Sequence, residues 1–397
     1  MSDSFSRSSS EGWFSRIGGA IKGVFIGLLA CVGSVVLLFW NEGRAVQTAK
    51  SLDEGSGAVV SVPAEPVEAG NESKLIHITG EATTNDVLDD TEFKVSETAI
   101  RLVRRVEMYQ WEEDEKRETK KKLGGGKETI TTYTYNETWS ERLIDSDSFD
   151  SEFGADYKNP DSKPIDSQTL HADTVTVGAY KLSDALRNRV SNPSSVGVTE
   201  ENIPESMADR MSVQDANTLY LGADPKSPQI GDCRVTFEVT KPATVSVVAQ
   251  QIGDSFQPYQ TQAGDALSML RMGTISAEQM FEMAHADNRM LTWILRGVGA
   301  FVMFIGLMMF AKPITVLADV VPIIGSIAET GIAIVAGLLT ITGSCMTIGI
   351  AWLFYRPLIG VPLLLVSVGA LVMLFKARKK KNTEAEPREE FSLDPPA

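Results

Sequence analysis

The sequence predicts an integral membrane protein with four transmembrane helices, one N-terminal and three C-terminal, and a large β-rich α+β extracytoplasmic domain between the first and second. Long apolar stretches stand near both ends of the 397-residue chain. Crossing the hydrocarbon of a bilayer takes about 20 mostly apolar helical residues. Between these stretches lies a long, mixed and polar region whose apolar residues alternate as in strands. The basic residues that flank the apolar stretches set the expected orientation.

The first span is predicted at residues 17–40. Lys22 is its only charged residue and lies close to its start. A cleaved secretory signal is the alternative, but such a signal has a shorter apolar core, which small residues follow. Here the run is longer and ends in bulky residues up to Trp40, which favours a retained anchor.

Apolar residues return near the C-terminus and predict the second, third and fourth spans at 291–311, 331–354 and 358–375. Arg296 lies near the start of the second span, where its long stem could reach the interface. Residues 312–330 are also apolar, but proline and acidic residues interrupt them. That composition favours an interfacial or re-entrant segment over a fifth span.

Basic residues precede the first span and follow the last one, at Arg7, Arg16, Lys22, Lys376, Arg378, Lys379, Lys380 and Lys381. Short cytoplasmic segments are enriched in such residues. We therefore expect cytoplasmic tails at 1–16 and 376–397, with residues 41–290 in a lumen or periplasm. An even number of spans agrees with this, because it places both termini on one side.

The charge of the chain divides along the same boundary. Residues 41–290 hold 43 acidic and 25 basic residues, a net charge of −18, whereas the whole chain carries −15. An acidic domain argues against nucleic acid as a partner, since binding would need clustered Lys and Arg. The basic cluster after the last span is explained by attraction to anionic membrane lipids. Cys233 is the single cysteine of the outer domain, so no disulfide can form within it.

Within the outer domain, two aromatic and β-branched runs at 99–111 and 128–139 predict a long hairpin, with a charged stretch and three glycines at 124–126 between them. The runs that begin at Gly231 and Thr244 predict a second strand pair. Residues 41–55 keep helical spacing and should extend the first helix beyond the membrane.

Two further helices are predicted in this domain. A short helix is expected at residues 181–190. Ser276 and Gln279 have the spacing of a capping box, which opens a helix expected to run into the second span.

Residue patterns typical of catalysis are absent from the sequence. The three histidines stand far apart and none has metal-ligand spacing with a cysteine. The GGGK run at 124–127 lacks the first glycine and the final Ser or Thr of a phosphate-binding loop. We therefore expect no enzyme activity, no cofactor and no metal.

Six polar and aromatic residues are candidates for interaction with a partner: Glu42, Arg44, Tyr109, Trp111, Tyr355 and Arg356. Each pair also has a structural alternative. These alternatives are capping at the interface for the first pair, core packing for the second and anchoring of the outer hairpin for the third. Gly19, Gly23 and Gly27 recur at four-residue spacing, which lets helix backbones approach closely. These glycines are expected to pack either against the chain's own other spans or against a second copy in a homo-oligomer.

Five phrases carry a resemblance to a known family: NEGRA at 41–45, RRVEMYQW at 104–111, YTYNETW at 133–139, GDCRVTFEV at 231–239 and WLFYRPL at 352–358. In this order they resemble the transmembrane protein 43 family, also called LUMA. The likeness spans nearly the whole chain. It departs from the family in the acidic loops at 145–215 and in a more basic turn at 120–127.

The resemblance implies a four-span protein of the endoplasmic reticulum or inner nuclear membrane with a lumenal domain. It implies a role in organising membrane protein complexes, with emerin and lamins as partners in a eukaryote and no established catalytic residues. Such proteins also occur in bacteria, where the inner membrane would be the location.

The leading hypothesis is a membrane scaffold that binds other membrane proteins or itself. The alternative is an ion-conducting or lipid-handling membrane component, suggested by the interrupted segment at 312–330.

Overall fold

The computed structural model describes residues 3–358, 360–362 and 365. Its α-helices are α1 (Trp13–Ala58), α2 (Asp184–Arg187), α3 (Ala277–Ala318) and α4 (Pro322–Tyr355). Of these, α1, α3 and α4 are each long and apolar enough to cross a membrane. Three helices of the kind expected for membrane spans are therefore present, one N-terminal and two C-terminal. The predicted fourth span at 358–375 falls almost entirely outside the described residues, and the tail at 376–397 wholly so.

The helices extend beyond the predicted spans. α1 continues to Ala58, as the helical spacing of residues 41–55 predicts. α3 opens with the predicted capping box, in which Ser276 Oγ accepts from the backbone N–H of Gln279 at 3.2 Å. It then runs without interruption into the apolar stretch. The predicted helix at 181–190 is present but shorter than expected, as the single turn of α2 at Asp184–Arg187, because Lys181 belongs to a strand.

The segment at 312–330 is helical on both sides of a short turn. α3 continues through Pro313 and ends at Ala318, and α4 begins at Pro322, a residue that suits the first turn of a helix. The turn itself is only residues 319–321. Whether this segment lies at an interface or re-enters the membrane stays a prediction.

The strands of the described residues are β1 (Asp3–Glu11), β2 (Val60–Ser61), β3 (Leu75–Thr83), β4 (Val87–Asp90), β5 (Val95–Thr98), β6 (Arg101–Lys121), β7 (Lys127–Ser140), β8 (Gln168–His171), β9 (Thr176–Val177), β10 (Tyr180–Lys181), β11 (Pro193–Ser195), β12 (Met211–Asp215), β13 (Thr218–Leu221), β14 (Cys233–Thr240), β15 (Ala243–Ile252), β16 (Ser255–Gln257), β17 (Tyr259–Gln260), β18 (Ala266–Leu267) and β19 (Met269–Met272). They belong to a first unit made of the chain up to Gly23, Gln47–Met290 and Lys312–Gly331. A second unit contains Val24–Val46, Leu291–Ala311 and the chain from Ile332.

An eight-stranded sheet of the first unit has the order β1-β7-β6-β14-β13-β12, with β11 on β14 and β8 on β6. Its core is formed by alternate residues of the central strands, among them Val106, Val235 and Phe237. The predicted long hairpin is confirmed as β6 and β7. It is longer than expected, because the charged stretch after Trp111 continues β6 as a strand up to Lys121.

A seven-stranded sheet has the order β19-β15-β16-β10-β9-β3-β2, with β15 also paired to β3. One core cluster covers it through Ile78, Val247 and Tyr180. A second cluster packs Leu52 of α1 and Phe281 of α3 on the same strands. The ends of both helices are therefore part of the β domain's own core.

The predicted pairing of the strands that begin at Gly231 and Thr244 is wrong. β14 pairs with β6, whereas β15 pairs with β3 in the other sheet. The two strands are separated only by Lys241 and Pro242. These two residues do not supply the positive φ angles that a two-residue hairpin turn needs, so the chain passes from one sheet to the other.

His77 of β3 makes the domain sensitive to mild acid. Its Nε2 lies 2.9 Å from the carbonyl oxygen of Ile275 and its Nδ1 lies 3.2 Å from Ser61 Oγ, so the neutral ring is fully bonded. Burial lowers the pKa of His77, and the hydrogen bond to Ile275 offsets this only in part. Because the unfolded ring takes up a proton near pH 6.5 and the folded ring resists it, the unfolding free energy should fall as pH drops below about 6.5.

Denaturant titrations of the full-length protein at pH 7.5 and 5.5 check this expectation. The loss of stability between these pH values should be smaller in His77→Asn than in the natural chain. An equal loss in both proteins would contradict the assignment to His77.

Candidate functional site

The second unit contains a fully buried carboxylate, Glu42 of α1, which has no solvent exposure. Arg296 of α3 donates to it twice, Nε to Oε1 at 2.6 Å and Nη2 to Oε2 at 2.9 Å. Trp352 of α4 donates its indole N–H to Oε2 at 2.9 Å. One acidic side chain of α1 thus bonds to both of the other described helices that are apolar enough to span a membrane. We call Glu42, Arg296 and Trp352 the Glu42 clamp.

Neighbouring polar residues reinforce the contact between α1 and α3. The side-chain amide of Asn41 donates to the carbonyl oxygen of Thr292 at 3.1 Å. Arg44 donates to the Thr292 hydroxyl at 3.0 Å. Asn41, Glu42 and Arg44 all belong to the phrase NEGRA, so this phrase is the α1 side of the helix contact.

Aromatic rings enclose the Arg296 guanidinium. Its central carbon lies 4.7 Å from the centre of the Trp293 ring and 5.9 Å from that of Trp352. Such contacts favour a cation that has lost its water. In the structure the Arg296 guanidinium bonds to Glu42; its expected position at the membrane interface stays a prediction.

Gly43 allows Tyr355 to lie directly on α1. A Cβ on Gly43 would come within 2.7 Å of the Tyr355 ring, closer than side-chain atoms approach. Tyr355 also packs on Phe39, with ring centres 5.4 Å apart. The backbone N–H of Arg356 continues the helical bonding by donating to Trp352 at 2.8 Å. The phrase WLFYRPL is thus the α4 side of the same cluster.

The bonding of Glu42 favours a structural role over proton transfer. Both carboxylate oxygens already accept hydrogen bonds, and the side chain has no open face toward a substrate. A buried ion pair is strongly disrupted when one partner is removed, at a cost of about 3–5 kcal/mol. The arrangement can therefore hold α1, α3 and α4 in one register.

The hairpin candidates Tyr109 and Trp111 lie apart from the Glu42 clamp, within the first unit. The Tyr109 hydroxyl donates to Glu137 at 3.1 Å, and its ring lies 5.0 Å from that of Trp139. Trp111 packs edge-on against Tyr157 at 4.9 Å. Both rings are partly buried in contacts of the domain itself. Binding of a partner through them stays a prediction.

The three glycines at four-residue spacing have different environments. A Cβ on Gly27 would meet the carbonyl oxygen of Gly306 at 2.6 Å, so α1 and α3 are in backbone contact there. Gly19 has nothing within 4 Å of the equivalent position and is exposed. Gly23 is buried. Gly27 therefore packs within the chain, while self-association through Gly19 stays a prediction.

A second charged cluster lies in the first unit, where the tip of the β6–β7 hairpin meets the turn between α3 and α4. Asp319 is almost fully buried and forms ion pairs with Arg16 and with Lys121, the latter at 2.8 Å. Lys121 also pairs with Glu329 at 2.7 Å. Burial by itself would raise the pKa of Asp319, but the two cations outweigh it and hold that pKa below its usual value. Asp319 is therefore ionised at neutral pH.

No group of three or more His, Cys, Asp or Glu side chains is placed to hold a metal ion among the residues that the structure describes. The outer domain does carry an open groove of about 760 Å³ beside the β12–β13 hairpin. Its lining includes Pro160 and Pro164, and Asp209, Arg210 and Asp232 supply charges.

Some residues of the Glu42 clamp are not indicated by the sequence as partners. Arg296 and Trp352 lie 254 and 310 residues from Glu42 along the chain. One feature of the sequence could have indicated the pairing of Glu42 with Arg296. Each is a charged residue at the edge of an apolar stretch, and charged residues are costly in a membrane unless they are paired. Asp319 and Glu329 show a similar pattern, since both find cationic partners.

These features define a class: a multi-pass membrane protein whose apolar helices α1 and α3 continue into a β domain with two large sheets. The sequence profile of the family described as Transmembrane protein 43 matches residues 108–357. The chain is 35% identical over 384 residues to Transmembrane protein 43 of Homo sapiens, covering 94% of each chain. It is 30% identical over 353 residues to the Transmembrane protein 43 homolog of Drosophila melanogaster, covering 87% of this chain and 92% of the relative.

The chain therefore belongs to the Transmembrane protein 43 family, and the resemblance in the sequence is confirmed. The chain is also 34% identical over 380 residues to Transmembrane protein 43 of Mus musculus. No solved structure matches the chain.

Proposed function

We propose that this protein is a membrane scaffold that holds other membrane proteins, or further copies of itself, through its outer domain. The observation that carries the proposal is the bonding of Glu42, whose buried carboxylate is entirely used to join three helices. Polar groups so employed organise a structure rather than react. The ends of α1 and α3 beyond the apolar stretches pack into the core of the β domain through Leu52 and Phe281.

The groove beside β12 and β13 is the surface we assign to partner binding. It combines apolar proline and methionine side chains with charges of both signs. Protein interfaces of moderate size have this mixed character. In a eukaryotic cell the scaffold would lie in the endoplasmic reticulum or inner nuclear membrane, and in a bacterium in the inner membrane, with both termini cytoplasmic.

Site-specific photo-crosslinking in native membranes tests the scaffold. A crosslinking amino acid at Ala223, in the groove, should give discrete adducts with membrane proteins or with a second copy of the chain. The matched control is Ala216, an exposed residue at the opposite end of the same β12–β13 hairpin, which should give few.

Native electrophoresis in mild detergent completes the experiment. The scaffold predicts one or more stable complexes larger than the monomer, and these should contain the proteins crosslinked at Ala223. A monomer that gives no adduct from either position would overturn the proposal.

A further inference from the structure

One edge of the β6–β7 hairpin is open over most of its length. On that side β6 pairs with β14, and Tyr109 still exchanges backbone hydrogen bonds with Gly231 and Asp232 at 2.9 and 2.8 Å. The side chain of Asn159 then bonds both the N–H and the carbonyl oxygen of Trp111. Beyond that point the edge has no partner strand among the residues that the structure describes.

The backbone groups that stand on this edge belong to alternate residues. An antiparallel strand bonds in turn to the neighbour on one side and to the neighbour on the other. Tyr109 and Trp111 bond outward, so the outward groups further along belong to the odd-numbered residues from Glu113 to Lys121. Their N–H and carbonyl groups have no hydrogen-bond partner among the described residues. Residues 114–120 are also exposed, so a second strand can reach this edge.

The charges along this edge are ordered. The stretch begins with acids at 112–115 and continues with a mainly basic part at 116–122, in which Glu118 is the only acid. In an antiparallel pair of identical strands, the start of one strand lies opposite the end of the other. Pairing with a second copy of the chain therefore brings the acidic part of each strand opposite the basic part of the other.

One register makes the best use of this order. Odd-numbered residues must face odd-numbered residues, because these residues carry the free backbone groups. When the two copies of Arg117 face each other, Asp114 of each copy lies opposite Lys120 of the other. Lys116 of each copy likewise lies opposite Glu118 of the other. Opposite charges at directly opposed positions stabilise an antiparallel pair, and twofold symmetry makes each of these pairs occur twice.

Contacts within one chain agree with this register. Arg117 donates to both carboxylate oxygens of Glu115, one of them at 3.0 Å, so the charges of two facing arginines are each countered. Lys116 and Glu118 form an ion pair at 3.0 Å. Two such pairs facing each other place four charges of alternating sign at the corners of one square. Each charge then has two neighbours of opposite sign.

The two neighbouring registers are unfavourable. One of them places Lys116 opposite its own copy and Asp114 opposite Glu118. The other places Lys116 opposite Lys120 and Glu118 opposite its own copy. Like charges at directly opposed positions destabilise a strand pair. Charged residues on a free edge usually prevent pairing, but this order opposes the neighbouring registers and favours a single one.

We propose that two copies of the chain pair antiparallel through residues 113–121 of β6, in the register that places the two copies of Arg117 opposite each other. The partner is thus a second copy of this chain, and the two hairpins become one continuous sheet about a twofold axis. The inference rests on the proposed scaffold and deepens it, because it assigns a contact by which the scaffold would hold a further copy of itself. This contact lies on a different strand from the groove beside β12 and β13.

Disulfide formation in native membranes tests the register. In the full-length chain Cys31 and Cys345 are replaced by alanine, while Cys233 stays because it is fully buried and burial raises its pKa to about 11. Arg117→Cys should then give a disulfide-linked dimer under mild oxidation. The reason is that a hydrogen-bonded strand pair holds its Cα atoms about 5.5 Å apart, and disulfides join Cα atoms about 4.4–6.8 Å apart.

Thr119→Cys is the matched control, since it is exposed on the same strand and on the same face as Arg117. Its two copies would lie about 13 Å apart along the strands, so this variant should give no linked dimer alone. It should link to Glu115→Cys when the two variants are expressed together, because these positions lie opposite each other. Equal yields from Arg117→Cys and Thr119→Cys, or a linked dimer from neither, would overturn the pairing.

Charge reversal tests the ion pairs across the dimer. Asp114→Lys places like charges opposite each other twice and should raise the dissociation constant of the full-length dimer about tenfold, measured by fluorescence energy transfer between labelled copies in lipid vesicles. Asp114→Lys with Lys120→Asp restores both pairs and should recover the natural value. Asp215→Lys, at an exposed position of the opposite edge strand β12, should leave the constant unchanged. An unchanged constant in Asp114→Lys, or no recovery in the double variant, would overturn the proposal.

These experiments separate the self-pairing from the scaffold as a whole. Photo-crosslinking at Ala223 reports on the groove and should give the same adducts in Asp114→Lys as in the natural chain. If Arg117→Cys gives no linked dimer while Ala223 still gives adducts, the pairing of β6 is wrong and the scaffold stands. A linked dimer without adducts at Ala223 would support the pairing and count against the groove.

Discussion

Replacing Glu42 with glutamine is expected to lower the free energy of unfolding by about 3–5 kcal/mol, the usual cost of removing one partner from a buried ion pair. Arg296 would keep its charge among the rings of Trp293 and Trp352 with no counter-ion. The carboxamide oxygen can still accept hydrogen bonds, but the NH₂ group that replaces the other oxygen brings N–H donors toward the donors of Arg296 and Trp352. Reversible unfolding in mixed detergent micelles measures the change.

Two variants make this experiment decisive. Glu282→Gln changes an exposed acid of α3 and should alter stability by less than about 0.5 kcal/mol. The double variant Glu42→Gln with Arg296→Gln removes both charges together and should recover a large part of the loss, since no unpaired charge remains. If Glu42→Gln and Glu282→Gln were equally stable, the Glu42 clamp would not hold the helices.

Much of the architecture follows from the sequence because apolar length is a strong signal. A stretch such as 17–40 has few alternatives to a membrane span. Capping chemistry is similarly local, which is why the start of α3 at Ser276 could be predicted. The long hairpin is also local in its essentials, because aromatic and β-branched residues alternate on both sides of a glycine turn with positive φ at Gly124 and Gly125.

Contacts between distant segments are a different matter. β1 has the sequence DSFSRSSSE, which has neither the alternation nor the β-branched content of a typical strand. It is extended because β7 offers it a complete edge, more than 100 residues away in the chain. The sheet that β15 joins is likewise decided by a distant partner, because β15 pairs with β3. No local pattern in the sequence of β15 predicts that pairing.

The candidate site shows the same division. Glu42 stands out in the sequence as an acid beside a span, but its partners cannot be chosen among the many cations of the chain. Tyr109 and Trp111 stand out in the sequence as interaction candidates, yet in the structure Tyr109 packs on Trp139 of the paired strand and Trp111 on Tyr157 of the loop. A pairing of unlike charges at the edges of separate spans is the general rule that the Glu42 clamp illustrates.

Gly27 offers the second large effect, because its Cβ position is blocked by backbone. An added Cβ would lie 2.6 Å from the Gly306 carbonyl oxygen and 2.9 Å from the Phe310 nitrogen, and neither atom can move without moving α3. Gly27→Ala should therefore force the two helices apart at a cost of about 1–3 kcal/mol, as overpacking of a tight contact usually does. Unfolding in mixed micelles, as for Glu42, gives the value.

Gly19→Ala is the matched control, since the same substitution on the same helix meets nothing within 4 Å. It should leave stability unchanged or raise it slightly, because alanine favours a helix over glycine by about 1 kcal/mol. The pair also separates the two roles that four-residue glycine spacing allows. If Gly27 serves contact within the chain and Gly19 serves contact between chains, Gly27→Ala lowers the stability of the monomer, whereas Gly19→Ala shifts only the association constant measured by sedimentation. Loss of monomer stability in both variants would contradict this division, because a Cβ on Gly19 meets nothing within 4 Å among the residues that the structure describes.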